Sequence, residues 1–252
     1  LGWEKNKQID LGFDIGIFNA LNVVVDFYKR TSDIVMPANI PNFNGISGSV
    51  YMNAGQIENK GIEIQVSATP FKGEFSWETT LSWSKNNNKI LSLANNQNQL
   101  ANAKAGTKWS NVIRNYVGRP MGDMYMLKVI GTFNTEEDLA KYATNGTQGI
   151  GDLIFEDYKK DGTIDVNDYQ LVGNYQPDFT FGWNNTFKYK DLDLAITIDG
   201  QCGGNVIYAA ARAFSLNRYD DNVLAESGLG RWISPTNTGN GTSHKAGTNN
   251  LG

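Results

Sequence analysis

Apolar and polar residues alternate with a period of two in six separate stretches, and a chain patterned in this way is confined to β-sheet with unlike faces. From Lys7 to Ile17, Ile9, Leu11, Phe13, Ile15 and Ile17 share one face, while Gln8, Asp10 and Asp14 share the other. From Leu21 to Arg30, Leu21, Val23, Val25 and Phe27 oppose Asn22, Asp26 and Tyr28. From Gly61 to Thr69, Ile62, Ile64, Val66 and Ala68 oppose Glu63, Gln65 and Ser67. From Phe75 to Ser84, Phe75, Trp77, Leu81 and Trp83 oppose Ser76, Glu78, Thr80 and Ser82. From Asp178 to Tyr189, Phe179, Phe181, Trp183, Phe187 and Tyr189 oppose Thr180, Asn184, Thr186 and Lys188. From Leu192 to Gly200, Leu192, Leu194, Ile196 and Ile198 oppose Asp193, Thr197 and Asp199.

The stretches pair naturally as three hairpins, about 7–30, 61–85 and 178–201, which turn tightly at Phe18–Ala20, Pro70–Glu74 and Lys190–Asp191. Long connections separate them, one from Thr31 to Lys60 and another over 86–177, and 202–252 reads as an incomplete loop. Short turns at one end and long loops at the other mark an outer-membrane β-barrel. The polar face, rich in Asn, Thr, Ser and acids, suits a wet lumen. Phe75, Trp77, Trp83, Phe179, Phe181, Trp183, Leu194 and Ile196 are then expected to face lipid. A tilted strand running from Phe179 to Tyr189 spans about 25 Å, the height of the lipid-facing band. A soluble β-sandwich alternates as well, but it would bury the same rings in a dry core.

Six strands are too few to close a barrel, and lipid tolerates no bare sheet edge. The sequence is therefore expected to be an internal piece of a longer polypeptide, covering part of an all-β barrel domain. Its first ten residues, LGWEKNKQID, are too polar for a signal peptide, and no apolar run is long enough for a transmembrane helix. Net charge is −4 and no basic block exists to neutralise phosphates, which argues against nucleic-acid binding. One Cys and one His exclude an internal disulfide and a Cys/His zinc site, and they argue against a nucleophilic triad. No acid/base carboxylate motif and no phosphate loop is recognisable, so no catalysis is expected.

The long connection has features of its own. Asn134 or Thr135 caps a short helix with Glu136, Glu137 and Asp138 in its first turn, expected to stop at Asn145–Gly146. Asn95 to Thr107 reads as solvated loop, and Val206 to Leu216 has Ala-rich helical character. Asp157 to Asp168, DYKKDGTIDVND, has the spacing of an EF-hand loop, with Gly162 at the sixth position. Asp157, Asp161, Asp165 and Asp168 could ligate Ca2+ by side chain and Thr163 by its carbonyl, giving a structural staple. Lys159, however, occupies the third ligand position and weakens any such site. The alternative is an acidic turn neutralised by Lys159. Among loop residues, Trp109, Tyr116, Trp232 and Tyr51, with Arg114 as polar partner, are candidates to contact a ligand, or else to pack within the loops.

Several of these stretches together resemble the SusC/RagA-type TonB-dependent outer-membrane transporters. They are WEKNKQIDLGFDIGIFNALNVVVDFYKRTSDIV, NAGQIENKGIEIQVSATP, YVGRPMGDMYMLKVIGTF, and the run from Phe155 through the DGTID loop to the final hairpin. The likeness covers nearly all of the chain up to about Val206. Lys159 and Met126 depart from the family pattern, which has Asn and Gly there. The resemblance implies a plugged 22-stranded barrel in the Gram-negative outer membrane that imports oligomeric glycans or peptides. It also implies a SusD-like surface lipoprotein as lid and energy from TonB through an upstream part. Two other readings rest on the residues alone: a secreted, calcium-stabilised β-sandwich that binds carbohydrate, and a glycoside hydrolase using two loop carboxylates.

Overall fold

The structure, a computed structural model, describes residues 2–18, 20–39, 49–93, 96–105, 109–208 and 222–247, with backbone alone at 36–39, 49, 54, 101–105 and 109–111. The six alternating stretches become six long antiparallel strands: β1 (Lys5–Ile17), β2 (Leu21–Asn39), β3 (Ser49–Phe71), β4 (Phe75–Ser92), β11 (Phe179–Tyr189) and β12 (Leu192–Cys202). They form one open sheet in the order β1-β2-β3-β4-β11-β12. Between β4 and β11 the chain makes β5 (Gln99–Ala105), β6 (Trp109–Tyr116), β7 (Asp123–Met126), β8 (Val129–Thr132), β9 (Leu153–Phe155) and β10 (Gln170–Asn174). Strands β10-β7-β6-β5 form a second sheet, and β8 pairs with β9.

Tight turns follow from local chemistry. Lys190 takes a left-handed φ of 53° in the two-residue turn between Tyr189 and Leu192, as a twisted hairpin requires. Phe18 does the same, with φ 51°, between β1 and β2. The opposite ends of the hairpins reach further than alternation indicates. β2 and β3 stay paired from Leu21↔Ala68 to Asn39↔Ser49, so the expected connection from Thr31 to Lys60 is mostly ladder. Both faces are polar or mixed there, so the two-residue period disappears while the backbone hydrogen bonds continue. β4 likewise continues to Ser92, and Gln99–Ala105 is a strand where solvated loop was expected.

The chain divides into two compact units, Leu1–Asn102 with Arg114–Asp123 and Asn174–Asn205, and Ala103–Ile113 with Met124–Gly173 and Val206–Gly252. In the first, Ile90 and Leu93 are buried against Leu100, Val117 and Met121. In the second, Leu153, Phe155 and Ile164 are buried with Leu127, Val129 and Ala143 around them. Both cores lie where the loop segments fold back. Away from Ile90, at the far end of β4, the broad sheet is open: every residue of β1 is exposed, on both faces.

Helix α1 spans Glu136–Lys141 and stops short of Asn145 because Tyr142 is already extended. Of the two expected caps, Thr135 is the one used, in a reciprocal capping box with Asp138. A second helix, α2, covers Ala225–Leu229. Val206–Tyr208 are not helical, and the rest of the stretch to Leu216 lies outside the described residues. No helix among the described residues is long and apolar enough to cross a membrane, which says nothing of strands.

Candidate functional site: the two faces of the sheet and its loops

Antiparallel register puts Ile15, Val23 and Val66 in one row with Leu81, Trp183 and Ile198. The residues assigned to the apolar face thus share one surface. Phe75, Trp183, Leu194 and Ile196 are exposed, and Trp77, Trp83, Phe179 and Phe181 are half-buried. A sandwich would bury these groups; here Leu194 is 56 % exposed. The aromatic rings gather at two heights. Phe71, Phe75, Trp77 and Phe187 stack near the short turns, and Trp83 meets Phe179 near the other end.

Two polar side chains interrupt this face, and alternation alone gave no role to either. Thr79 and Asn185 lie directly opposite each other in the β4–β11 ladder. Trp77 Nε1 donates to Asn185 Oδ1 at 3.1 Å, and Trp183 Nε1 donates to Thr79 Oγ1 at 2.9 Å. Asn185 is buried under the rings. Each polar group is therefore satisfied by an indole N–H, as an apolar solvent demands. The sequence signal was there: a polar residue on the apolar side of a strand, two positions from Trp183.

The other face is polar. Asp26, Glu63, Ser84 and Thr180 form one row, and Asp14, Gln65, Ser82 and Asp199 another. Its middle is a shallow concavity of about 460 Å³ lined by residues that include Asp26, Glu63, Gln65, Ser82 and Asp199. Towards the long-loop end an amide ladder begins: Asn86 and Asn88 both donate to Asn59 Oδ1, and the Tyr28 hydroxyl donates to Asn86 Oδ1.

Above it, the segment from Gly118 to Asp123 is sutured to strand ends. Met121 N–H donates to Asn88 Oδ1 at 2.9 Å, and its carbonyl accepts from Asn174 Nδ2 and Gln176 Nε2. Gly122 N–H donates to Asn115 Oδ1, while the buried Asp123 pairs with Arg119 and accepts from Asn174 Nδ2. Gly122 has a φ of 85°, and a methyl group there would overlap the Tyr175 ring. A crevice of about 300 Å³ opens here between Asn86, Asn88, Pro120, Asn174, Gln176 and Asp178. Pattern reading missed this node because it is built from scattered amides with no fixed spacing.

The candidate ligand contacts fare differently. Trp109 starts β6, and its side chain lies outside the described residues. Arg114 is buried and Tyr116 half-buried. Tyr51 is exposed on β3. Trp232 is buried against Gly151, with Nε1 donating to Asn134 Oδ1 at 2.9 Å. Lys245 completes that clasp, its main-chain N–H on the Gly151 carbonyl and its Nζ on the Ile150 carbonyl at 2.6 Å.

Asp157, Asp161, Thr163, Asp165 and Asp168 form a tight loop that exits through a 3-10 turn, Val166–Asp168. Asp157 accepts the main-chain N–H groups of Lys160, Asp161 and Gly162; Asp168, fully buried, accepts those of Lys159 and Asp165. Among the described residues no three His, Cys, Asp or Glu side chains converge as metal ligands. With Lys159 at the third position, this arrangement does not fit the hexa- to octadentate oxygen shell that Ca2+ takes.

No protein-family model matches the chain. In sequence it is 29 % identical over 245 residues to TonB-dependent receptor P3 of Formosa agariphila, covering 94 % of this chain and 24 % of that protein. It is 23 % identical over 256 residues to the TonB-dependent receptor SusC of Bacteroides thetaiotaomicron, covering 93 % of this chain and 24 % of SusC. The chain thus spans about a quarter of the length of the curated relatives it matches. In structure it superposes on the RagAB peptide transporter with a TM-score of 0.74 at 19 % identity, covering all of this chain and 27 % of that one. The RagAB peptide importer in a closed-closed state gives 0.66 over 94 % of this chain. The chain is a homologue of TonB-dependent receptors, SusC included, over most of its length, and its sheet has the fold of part of such a barrel, left unclosed.

Proposed function

We propose that this chain is part of the barrel wall and surface loops of a longer TonB-dependent receptor that imports oligomeric nutrients across the Gram-negative outer membrane. The observation that carries the reading is the apolar face of the sheet: exposed at Phe75, Trp183, Leu194, Ile196 and Ile198, banded by rings at two heights, with its polar intruders sealed by indoles. That is a surface made for lipid. The acidic, hydroxyl- and amide-rich opposite face suits a wet lumen, and its carboxylates disfavour polyanionic cargo. Neutral glycans and peptides fit, and the likeness to a peptide transporter supports the second. A SusD-like surface lipoprotein covers the mouth, and TonB supplies energy through a part of the receptor upstream. The chain itself carries no catalytic role.

Fractionation of the source cells tests this. The peptides should come from a heat-modifiable outer-membrane band several times heavier than 27.8 kDa that co-purifies with a lipoprotein. Uptake of labelled oligosaccharide or oligopeptide should stop when TonB is removed. A soluble band of about this mass would end the proposal.

A further inference from the structure

We infer that the loop from Asp157 to Asp168 is closed by its own main chain and needs no divalent cation, although its spacing is that of a calcium loop. The consecutive N–H groups of Lys159 to Thr163, with those of Asp165 and Asn167, all donate to carboxylates of the loop. Asp157 and Asp168 are the two anchors. Each has both oxygens on main-chain amides, and Asp168 is wholly removed from solvent. Asp165 is bracketed by the amide and side chain of Asn167.

A cation-centred loop turns its carboxylates on one point; here they diverge onto separate amides. Lys159 brings a positive charge to the position that should supply the third oxygen. The loop is held from outside as well. Ile164 enters the core with Leu153 and Phe155, and its N–H donates to the Thr144 carbonyl at 3.1 Å. Amide-to-carboxylate bonds and one buried Ile thus do the fastening that the ion does in the parent pattern. The inference concerns this loop alone and stands whether or not the receptor transports.

The test uses the full-length receptor, purified in detergent, with calcium chloride or EDTA added. Cleavage by a lysine-specific protease after Lys159 and Lys160, followed by mass spectrometry, reports this loop and no other. The same cleavage rate with and without calcium is expected, together with no terbium luminescence sensitised through Tyr158. Lys159→Asn restores the third oxygen and should make cleavage calcium-sensitive, with affinity rising by about tenfold or more. Asp168→Asn removes an anchor and should speed cleavage in calcium and EDTA alike. Protection of the unsubstituted loop by calcium would overturn the inference, as would terbium luminescence from it that Asp157→Asn abolishes.

Discussion

Trp77 and Asn185 are joined across the β4–β11 ladder by a 3.1 Å hydrogen bond, on the face of the sheet that carries almost nothing else polar. Removing the donor strands a carboxamide in an apolar setting. Trp77→Phe should therefore destabilise the folded receptor by about 1–3 kcal/mol. Asn185→Leu, which leaves the Trp77 indole N–H without its acceptor, should cost a similar amount, and the double variant, which removes both partners, should recover most of the loss. Urea titration of the heat-modifiable folded band measures all three.

The same face sets the outcome of a charge. Ile196 is exposed midway along β12, with Asn185 as its register partner. Ile196→Arg should lower stability by about 2–4 kcal/mol near the bilayer midplane and reduce insertion. Thr197→Arg, one residue on and pointing to the other face, should insert normally. The folded fraction recovered from outer membranes distinguishes them.

This face was legible in the sequence because a wall set in lipid, as proposed here, would obey a strict rule. Every second residue of Phe179–Tyr189 must be apolar or have its polar atoms satisfied, and a period of two is visible without any structure. Towards the long-loop end the alternation ends, yet β2 and β3 run on to Asn39 and Ser49 with nothing in the pattern to announce them. The helix cap was legible at Thr135 for the opposite reason, since a capping box is local. The packing of Trp232 over Gly151 was not legible, because an aromatic on a loop looks alike in sequence whether it awaits a ligand or fills a gap. Nor can spacing reveal that Asn88, Asn115, Asn174 and Gln176 converge on Met121 and Gly122, since contact across the fold brings them together.

Trp232 gives a second discriminating substitution. Trp232→Ala should cost about 3–5 kcal/mol of local stability, as loss of a buried Trp does. The affinity for cargo should stay unchanged. Hydrogen exchange at Phe133 and Gly151, whose mutual main-chain bond of 2.7 Å lies beneath the ring, reports the first effect.

Lys160 sits at a left-handed φ of 60°, a conformation that glycine adopts without strain. Lys160→Gly should stabilise the 157–168 loop by about 1 kcal/mol. Slower hydrogen exchange of the Gly162 and Thr163 amides would confirm it.

Acid should loosen the β8–β9 unit before neutral conditions do. Glu156 has its pKa lowered, chiefly by its hydrogen bond to Lys128 and then by Gln170. Asp138 is lowered by accepting the Asn134 N–H and the Thr135 cap. Both carboxyls are depressed on folding, so their contribution is complete above the unfolded carboxylate pKa, about 4. It disappears as pH falls through the lower folded values. Protection of the Glu156 and Leu139 amides, expressed relative to their intrinsic exchange rates at each pH, should therefore be flat from neutrality down to about pH 5 and fall below it. Lys128→Met should abolish most of the dependence at Glu156 and leave that at Leu139 unchanged.

The most direct test of the account is solvent accessibility along β12 of the full-length receptor in lipid vesicles. Spin labels placed singly at Asp193, Leu194, Ile196, Thr197, Ile198 and Asp199, with Cys202 replaced by Ser, are exposed in turn to oxygen and to a water-soluble nickel chelate. The account predicts alternation: Leu194, Ile196 and Ile198 relaxed by oxygen and shielded from nickel, Asp193, Thr197 and Asp199 the reverse. Uniform accessibility, or labels at Leu194 and Ile196 shielded from both reagents as in a protein core, would contradict it.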